Sequence, residues 1–350
     1  MLQNASIIDK RSLTFVYAIE FYLLTHCSYF LFGRSIELKK VLLAVAVVTM
    51  SLSTFKVIIL RHGQSELNHE NIFCGWIDAR LTVKGRSQAR NSAALIRQYC
   101  TANDISLPQI GYTSRLIRTQ QTMEEILNEW DIKGSFNVVT GLEYNLSKEQ
   151  IEFLDNIPVL QTWRLNERHY GSWQGQRKPQ VLEEYGDKEY MNIRRGYNGR
   201  PPVADLTREM VQEVNDKGSS TGYDFKEPNR HLKYNLEEQF GETLPNSESL
   251  ANVVDRSKPF LENIVLRIAQ EHDQDSCLIV AHGSSVRSIL KIILDIPDEE
   301  IKNVDIPNGI PLVIELEKSS FKYVNKFYLD PESAEINAQK VRKEGFTANP

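Results

Sequence analysis

The chain has 350 residues, 41% of them hydrophobic and 25% charged, ordinary proportions for a globular protein able to bury a sizeable core. A formal net charge of −5 argues against a general nucleic-acid binder, so any anionic ligand has to be drawn by a local cluster of arginines. Cys27, Cys74, Cys100 and Cys277 show neither paired metal-ligand spacing nor a disulfide framework, and they read as reduced thiols of a cytoplasmic protein.

The first 50 residues form a hydrophobic extension. LTFVYAIEFYLLTHCSYFLFG (13–33) is long enough to cross a bilayer, yet it carries Glu20 and His26, which are costly at membrane depth. VLLAVAVVTM (41–50) is too short to span. Three readings are open: a membrane anchor, a targeting extension, or upstream sequence that is not normally translated. The last is motivated by Met50, which opens MSLSTFKVIILRHG as a natural start for a compact domain. Membrane contact is expected only if residues 13–33 are translated and inserted.

Residues 51–350 read as one α/β domain. The β-branched run FKVIIL (55–60) predicts a strand buried in a parallel sheet. A helix is expected over 81–100, a strand at QIGYTS (109–114) and a helix over 115–130. SCLIVAH (276–282) predicts another buried strand, followed by a helix at 285–294. PLVIELE (311–317) and KYVNKFYL (322–329) predict a closing pair of strands, and 330–345 a polar helix. This alternation implies three layers, α/β/α, around a mostly parallel sheet with helices on both faces. Residues 131–162 carry little pattern, and 196–246 are rich in Gly, Pro, Asn and charge. Both read as excursions of the kind that form lids or binding loops.

LRHG (60–63) and VAHGSS (280–285) share one arrangement: apolar strand, histidine, glycine, helix. Ligands of open α/β sheets bind beyond the carboxyl ends of strands, so His62 and His282 are expected to face each other across one crevice. The glycines, Gly63 and Gly283, permit close backbone approach, and the helix starting near Ser284 and Ser285 offers N–H groups to an anion. Arg61 adjoins the first histidine, Arg118 opens the helix after the second strand, and Arg194 and Arg195 stand side by side. Guanidinium forks match phosphate oxygens, so this set suggests a phosphate pocket, with Glu167 and Arg168 in WRLNERHYG close to it. No metal-ligand constellation is present in the sequence.

LRHGQSELN, TSRLIRTQQT and VAHGSSVRS resemble motifs spread across the histidine phosphatase superfamily. WRLNERHYGSWQG, LPNSESL and IPNGIPLVIEL are closer to its cofactor-dependent phosphoglycerate mutases, and the resemblance runs from residue 55 to about 345. It implies interconversion of 3-phosphoglycerate and 2-phosphoglycerate, with 2,3-bisphosphoglycerate as cofactor, small phosphorylated three-carbon acids as ligands and no metal. By the same resemblance His62 is the nucleophile that carries phosphoryl, and His282 stabilises the transferring group. Arg61 and Arg118 hold that group, and Glu167 moves the proton of the substrate hydroxyl. Asn68, Gly75, Arg168, Tyr170, Arg194, Arg195 and Gly283 are expected to bind the rest of the substrate. Family members commonly form dimers or tetramers, and two readings stay open: a homo-oligomer, or a chain whose insertions block or replace those interfaces.

Three positions depart from the family pattern: Cys74 stands for a hydroxyl residue, Gln176 for a phosphate-binding lysine, and Ser284 for an asparagine. Arg177 or Lys178 would have to supply the charge missing at Gln176. Each departure weakens ligand holding and leaves the histidine pair intact. Two alternatives follow. One is a phosphatase that passes the phosphoryl group of bisphosphoglycerate or another small ester to water. The other is a low-activity paralogue kept for binding or regulation.

Overall fold

A computed structural model describes residues 54–145, 156–206, 227 and 230–346. The expected extension at 1–50 lies outside the described residues, as do 207–226 of the second excursion. Seven strands form one sheet: β1 (Thr54–Arg61), β2 (Gly111–Ser114), β3 (Lys133–Val138), β4 (Asn156–Thr162), β5 (Ser276–Ala281), β6 (Leu312–Glu317) and β7 (Tyr323–Tyr328). Their spatial order is β3-β4-β2-β5-β1-β6-β7, parallel from β3 to β1 and antiparallel at β6 and β7.

Side chains alternate across a strand, and here both faces are covered. Phe55, Val57 and Ile59 of β1 join Cys277, Ile279 and Ala281 of β5 in one core, and Ile58 and Leu60 join Leu278 and Val280 in the other. The first core is closed by α4 (Leu250–Phe260) and α5 (Gly283–Leu294), through Phe260, Val286 and Ile289. The second is closed by α1 (Val83–Ala102) and α2 (Ile117–Glu129), through Ala89, Ile96, Met123 and Ile126. Two further helices flank the site, α3 (Lys178–Arg195), which breaks at Gly186, and α6 (Pro331–Lys343). The expected three-layer α/β/α architecture is the one observed.

The structure corrects the first excursion. Residues 131–162 contain two sheet strands, β3 and β4. β3 is an edge strand of polar sequence, and β4 carries Pro158 inside the sheet, where a proline normally argues against a strand. In the described part of the second excursion, Glu227, Arg230, Tyr234 and Glu237 are buried, while Val203, Leu232 and Phe240 are exposed. Glu227 accepts from Gln174 Nε2 at 2.9 Å and pairs with His169, and Tyr234 packs on Trp76 with ring centroids 5.2 Å apart.

The first histidine motif turns sharply against the start of α1. A methyl group on Gly63 would lie 2.2 Å from Gly85 O, and one on Gly85 would lie 2.1 Å from Gln64 O. No side chain fits at either position without moving backbone, at a cost of about 1–3 kcal/mol or more. This contact fixes where the chain leaves β1, and so where His62 stands.

Candidate active site

Arg61 of β1 is in register with Ala281 of β5, so the next residues, His62 and His282, leave neighbouring parallel strands side by side. Their ring centroids are 5.0 Å apart at an interplanar angle of 64°. Asn308 Nδ2 donates to His62 O at 2.8 Å and Gly309 N donates to Arg61 O at 3.0 Å, which is the structural use of the IPNG segment.

Hydrogen bonds assign the proton on each ring. His62 Nδ1 lies 2.6 Å from Gly63 O, and because a carbonyl only accepts, Nδ1 carries the hydrogen. The lone pair is therefore on Nε2, which faces Arg118 Nε at 3.3 Å. Thr119 Oγ1 gives its proton to Leu116 O at 2.8 Å, so Ser114 Oγ donates to Thr119 and accepts from His282 Nε2 at 2.8 Å. His282 Nδ1 has no hydrogen-bond partner among the described residues. Burial, then the charges of Arg118 and Arg61, push the His62 pKa well below its ordinary value. Burial and Arg118 do the same at His282. Both rings are neutral at neutral pH, as a nucleophilic imidazole has to be.

Arg118 is 1% exposed at the start of α2 and donates to Gly75 O at 2.7 Å and Ile77 O at 2.8 Å. Arg61 Nη1 donates to Ile306 O at 2.8 Å, whereas its buried Nε has no partner among the described residues. Glu167 follows β4 through a turn at Trp163–Leu165, and its Oε1 accepts from Arg168 N at 2.8 Å and from Ser284 N at 3.2 Å. The start of α5 thus binds the chain's own carboxylate. Behind Glu167, Arg256 donates to the carbonyls of Asn166 at 2.9 Å and Glu167 at 3.0 Å, and to Glu248 Oε1 at 2.7 Å. The LPNSESL motif supplies Glu248, so its contribution is to brace the loop that presents Glu167.

Arg61, His62, Arg118 and Glu167 line one cavity together with Asn68, Cys74, Gly75, Tyr170, Arg194, Arg195, Gly283 and Ser284. Three expected site residues do not line it. His282 is fully buried behind His62. Arg168 turns away and donates to Ile193 O at 2.7 Å and Arg194 O at 2.8 Å, so it holds the end of α3 and not a ligand. Gln176 Nε2 donates to Ser172 O at 2.8 Å, also away from the cavity. Of the two candidates for the missing charge, Lys178 lines the cavity and Arg177 does not. Gln176→Lys is therefore expected to change KM by less than about twofold, the usual reach of a substitution that touches nothing essential. Steady-state kinetics checks this, and tenfold tighter binding would contradict the placement.

At Cys74 the departure from a hydroxyl is real. Its Sγ lies 3.4 Å from Ile77 O, and burial pushes its thiol pKa up, so it offers a ligand neither charge nor a good donor. Sequence reasoning also missed Arg287 and Glu344, both of which line the cavity. Arg61, Arg118, Lys178, Arg194, Arg195 and Arg287 face two carboxylates, Glu167 and Glu344, across it. With both histidines neutral, this excess of cations, and the Nε of Arg61 and Nη1 of Arg194, which have no hydrogen-bond partner among the described residues, fit an anion of several charges. Among the described residues, no group of three or more His, Cys, Asp or Glu side chains is placed to hold a metal ion. No helix among them is long and apolar enough to cross a membrane.

A mostly parallel sheet that brings two strand-end histidines together among arginines is the arrangement of a phosphoryl-transfer fold. The chain belongs to the histidine phosphatase superfamily, whose branch 1 model matches residues 57–140 and 216–327. It is 66% identical over 299 residues to phosphoglycerate mutase 3 of Saccharomyces cerevisiae, covering 85% of this chain and 98% of that protein. It is 35% identical over 297 residues to the 2,3-bisphosphoglycerate-dependent phosphoglycerate mutase of Bifidobacterium longum, covering 83% of this chain and 99% of that one. A mycobacterial glucosyl-3-phosphoglycerate phosphatase, solved with VO3, shares the fold at a TM-score of 0.50 and 17% identity, over 78% of this chain and 98% of that chain.

Proposed function

We propose that the protein is a 2,3-bisphosphoglycerate-dependent phosphoglycerate mutase that interconverts 3-phosphoglycerate and 2-phosphoglycerate through a phosphohistidine at His62. The observation that carries this is His62 Nε2: a neutral ring nitrogen, its lone pair held by the Nδ1 bond to Gly63 O, facing a buried arginine in a cation-lined cavity. The 66% and 35% identities to named mutases support the same reading.

Bound 2,3-bisphosphoglycerate supplies the phosphoryl group that primes the enzyme. His62 Nε2 forms the N–P bond as the P–O bond to the departing hydroxyl oxygen breaks, and Glu167 gives that oxygen its proton. On return, Glu167 takes the proton of the other substrate hydroxyl, the N–P bond breaks, and the lone pair goes back to Nε2. Arg61 and Arg118 neutralise charge on the phosphoryl oxygens while it is in transit. Lys178, Arg194 and Arg195, with Tyr170, hold the group on the substrate that does not react. At Tyr170 burial would raise the phenol pKa, but Arg168, its guanidinium 4.6 Å from the ring centre, brings it below the ordinary value. The buried free thiols Cys74, Cys100 and Cys277 support a cytoplasmic setting.

The test gives the full chain 3-phosphoglycerate with and without 2,3-bisphosphoglycerate and follows 2-phosphoglycerate and free phosphate separately. Isomerisation that depends on the bisphosphate is expected. Free phosphate without isomerisation would replace this reading with a phosphatase.

A further inference from the structure

The carboxyl end of α6 returns to the active site. Arg194 Nη2 donates to Val341 O at 2.9 Å, and Phe346 meets Tyr190 edge-on with ring centroids 6.1 Å apart at 84°. Between these anchors Gly345 has φ +93° and lies so close to Tyr190 that an added methyl would sit 2.1 Å from its hydroxyl. The backbone is thereby fixed on both sides of Glu344, and the Glu344 side chain enters the cavity. Its Oε2 lies 2.5 Å from Lys178 Nζ and 3.5 Å from Arg194 Nη2. Burial alone would raise its pKa, but Lys178, Arg61 and Arg194 bring it down to about 2, so it is a carboxylate at neutral pH.

Lys178 and Arg194 are the cations that the proposed function gives to the substrate's non-reacting anionic group. A buried cation pair already holding one carboxylate cannot hold a second in the same place. The same cavity is lined by Arg61, His62 and Arg195, so the Glu344 carboxylate stands in the space a substrate has to enter. Glu344 also lines a neighbouring cavity of about 650 Å3, with Lys84, Lys340 and Lys343 around it. That cavity places a second set of cations on the other side of the same residue.

We infer that Glu344 is a specificity-determining residue that occupies the anion subsite of Lys178 and Arg194, and that substrate binds only by displacing its carboxylate into the lysine-lined cavity. The inference rests on the proposed substrate class. It gives the enzyme a ligand threshold: a molecule with one weak anionic group does not evict Glu344, whereas a phosphoglycerate, with a phosphate and a carboxylate, does. The apparent affinity is lowered by the fraction of molecules whose subsite is free.

The test titrates the full chain and Glu344→Gln with 3-phosphoglycerate by calorimetry, alongside thermal melting with and without ligand. Glu344→Gln keeps the shape and removes the charge, so its Kd is expected to fall by roughly tenfold. Its unliganded form should melt lower, because Lys178 loses its counter-ion, while the ligand-induced rise in Tm grows. Glu344→Asp, which keeps the charge, should stay near the native Kd, and Glu344→Ala should behave as Glu344→Gln. A residue that only braced α6 would melt lower and bind more weakly, and an unchanged or weaker Kd overturns the inference. If neither protein binds 3-phosphoglycerate, the substrate assignment fails. The same comparison made with inorganic phosphate then decides the role of Glu344, tighter binding by Glu344→Gln supporting it and equal binding overturning it.

Discussion

His62→Ala is expected to lower mutase turnover by at least roughly 10^4-fold, the scale on which covalent catalysis fails when its nucleophile is removed. The ring is buried at the mouth of β1, where its Nδ1 binds only the next residue's carbonyl, so its loss removes chemistry while leaving both cores intact. The variant should melt within a few degrees of the native chain, and an unfolded variant would be no test. Arg118 and His282 cannot take over. The one is a cation with no lone pair to give, and the other is fully buried and does not line the cavity. Turnover within tenfold of native, measured as 2-phosphoglycerate formed from 3-phosphoglycerate, would remove His62 from the reaction path.

Glu167→Gln is expected to lower kcat by about 10^2–10^4-fold, the contribution of a positioned proton carrier, with KM within a few-fold of native. The amide oxygen of glutamine can still accept from Arg168 N and Ser284 N, which keeps the loop and the start of α5 in place. The backbone carbonyl stays bound to Arg256 and Trp76. What is lost is the ability to release and recover a proton. Steady-state kinetics separates the two possibilities, because a residue that only positioned Ser284 would be replaced by glutamine with little change in kcat.

The parts of the site that were legible in the sequence are those built from local grammar. A β-branched run ending in His-Gly marks the end of a buried strand, and two such endings predicted a shared crevice that the β1–β5 register then produced. β3 and β4 were not legible for opposite reasons: one is too polar for a buried strand, and the other keeps a proline inside the sheet. Arg168 shows how adjacency misleads. It follows Glu167 directly, yet its side chain points to the carbonyls of Ile193 and Arg194 and serves the site only by holding α3. Lys178 had a signal, since Pro179 marks the start of a helix, and the structure sets that start beside Asn71 and Phe73, next to Cys74. Glu344 had none. Its partner Lys178 is 166 residues away, and nothing in a polar carboxyl-terminal helix says that its last turn reaches an active site.

The account stands on the identity of the phosphoryl carrier. Incubating the full chain with 2,3-bisphosphoglycerate labelled in its phosphoryl groups, mapping the modified peptide, and chasing with unlabelled 3-phosphoglycerate tests it most directly. The expected result is an acid-labile, base-stable phosphate on His62 alone, chased into phosphoglycerate at least as fast as turnover. Isomerisation with no label on His62, or with label on another residue, would contradict it.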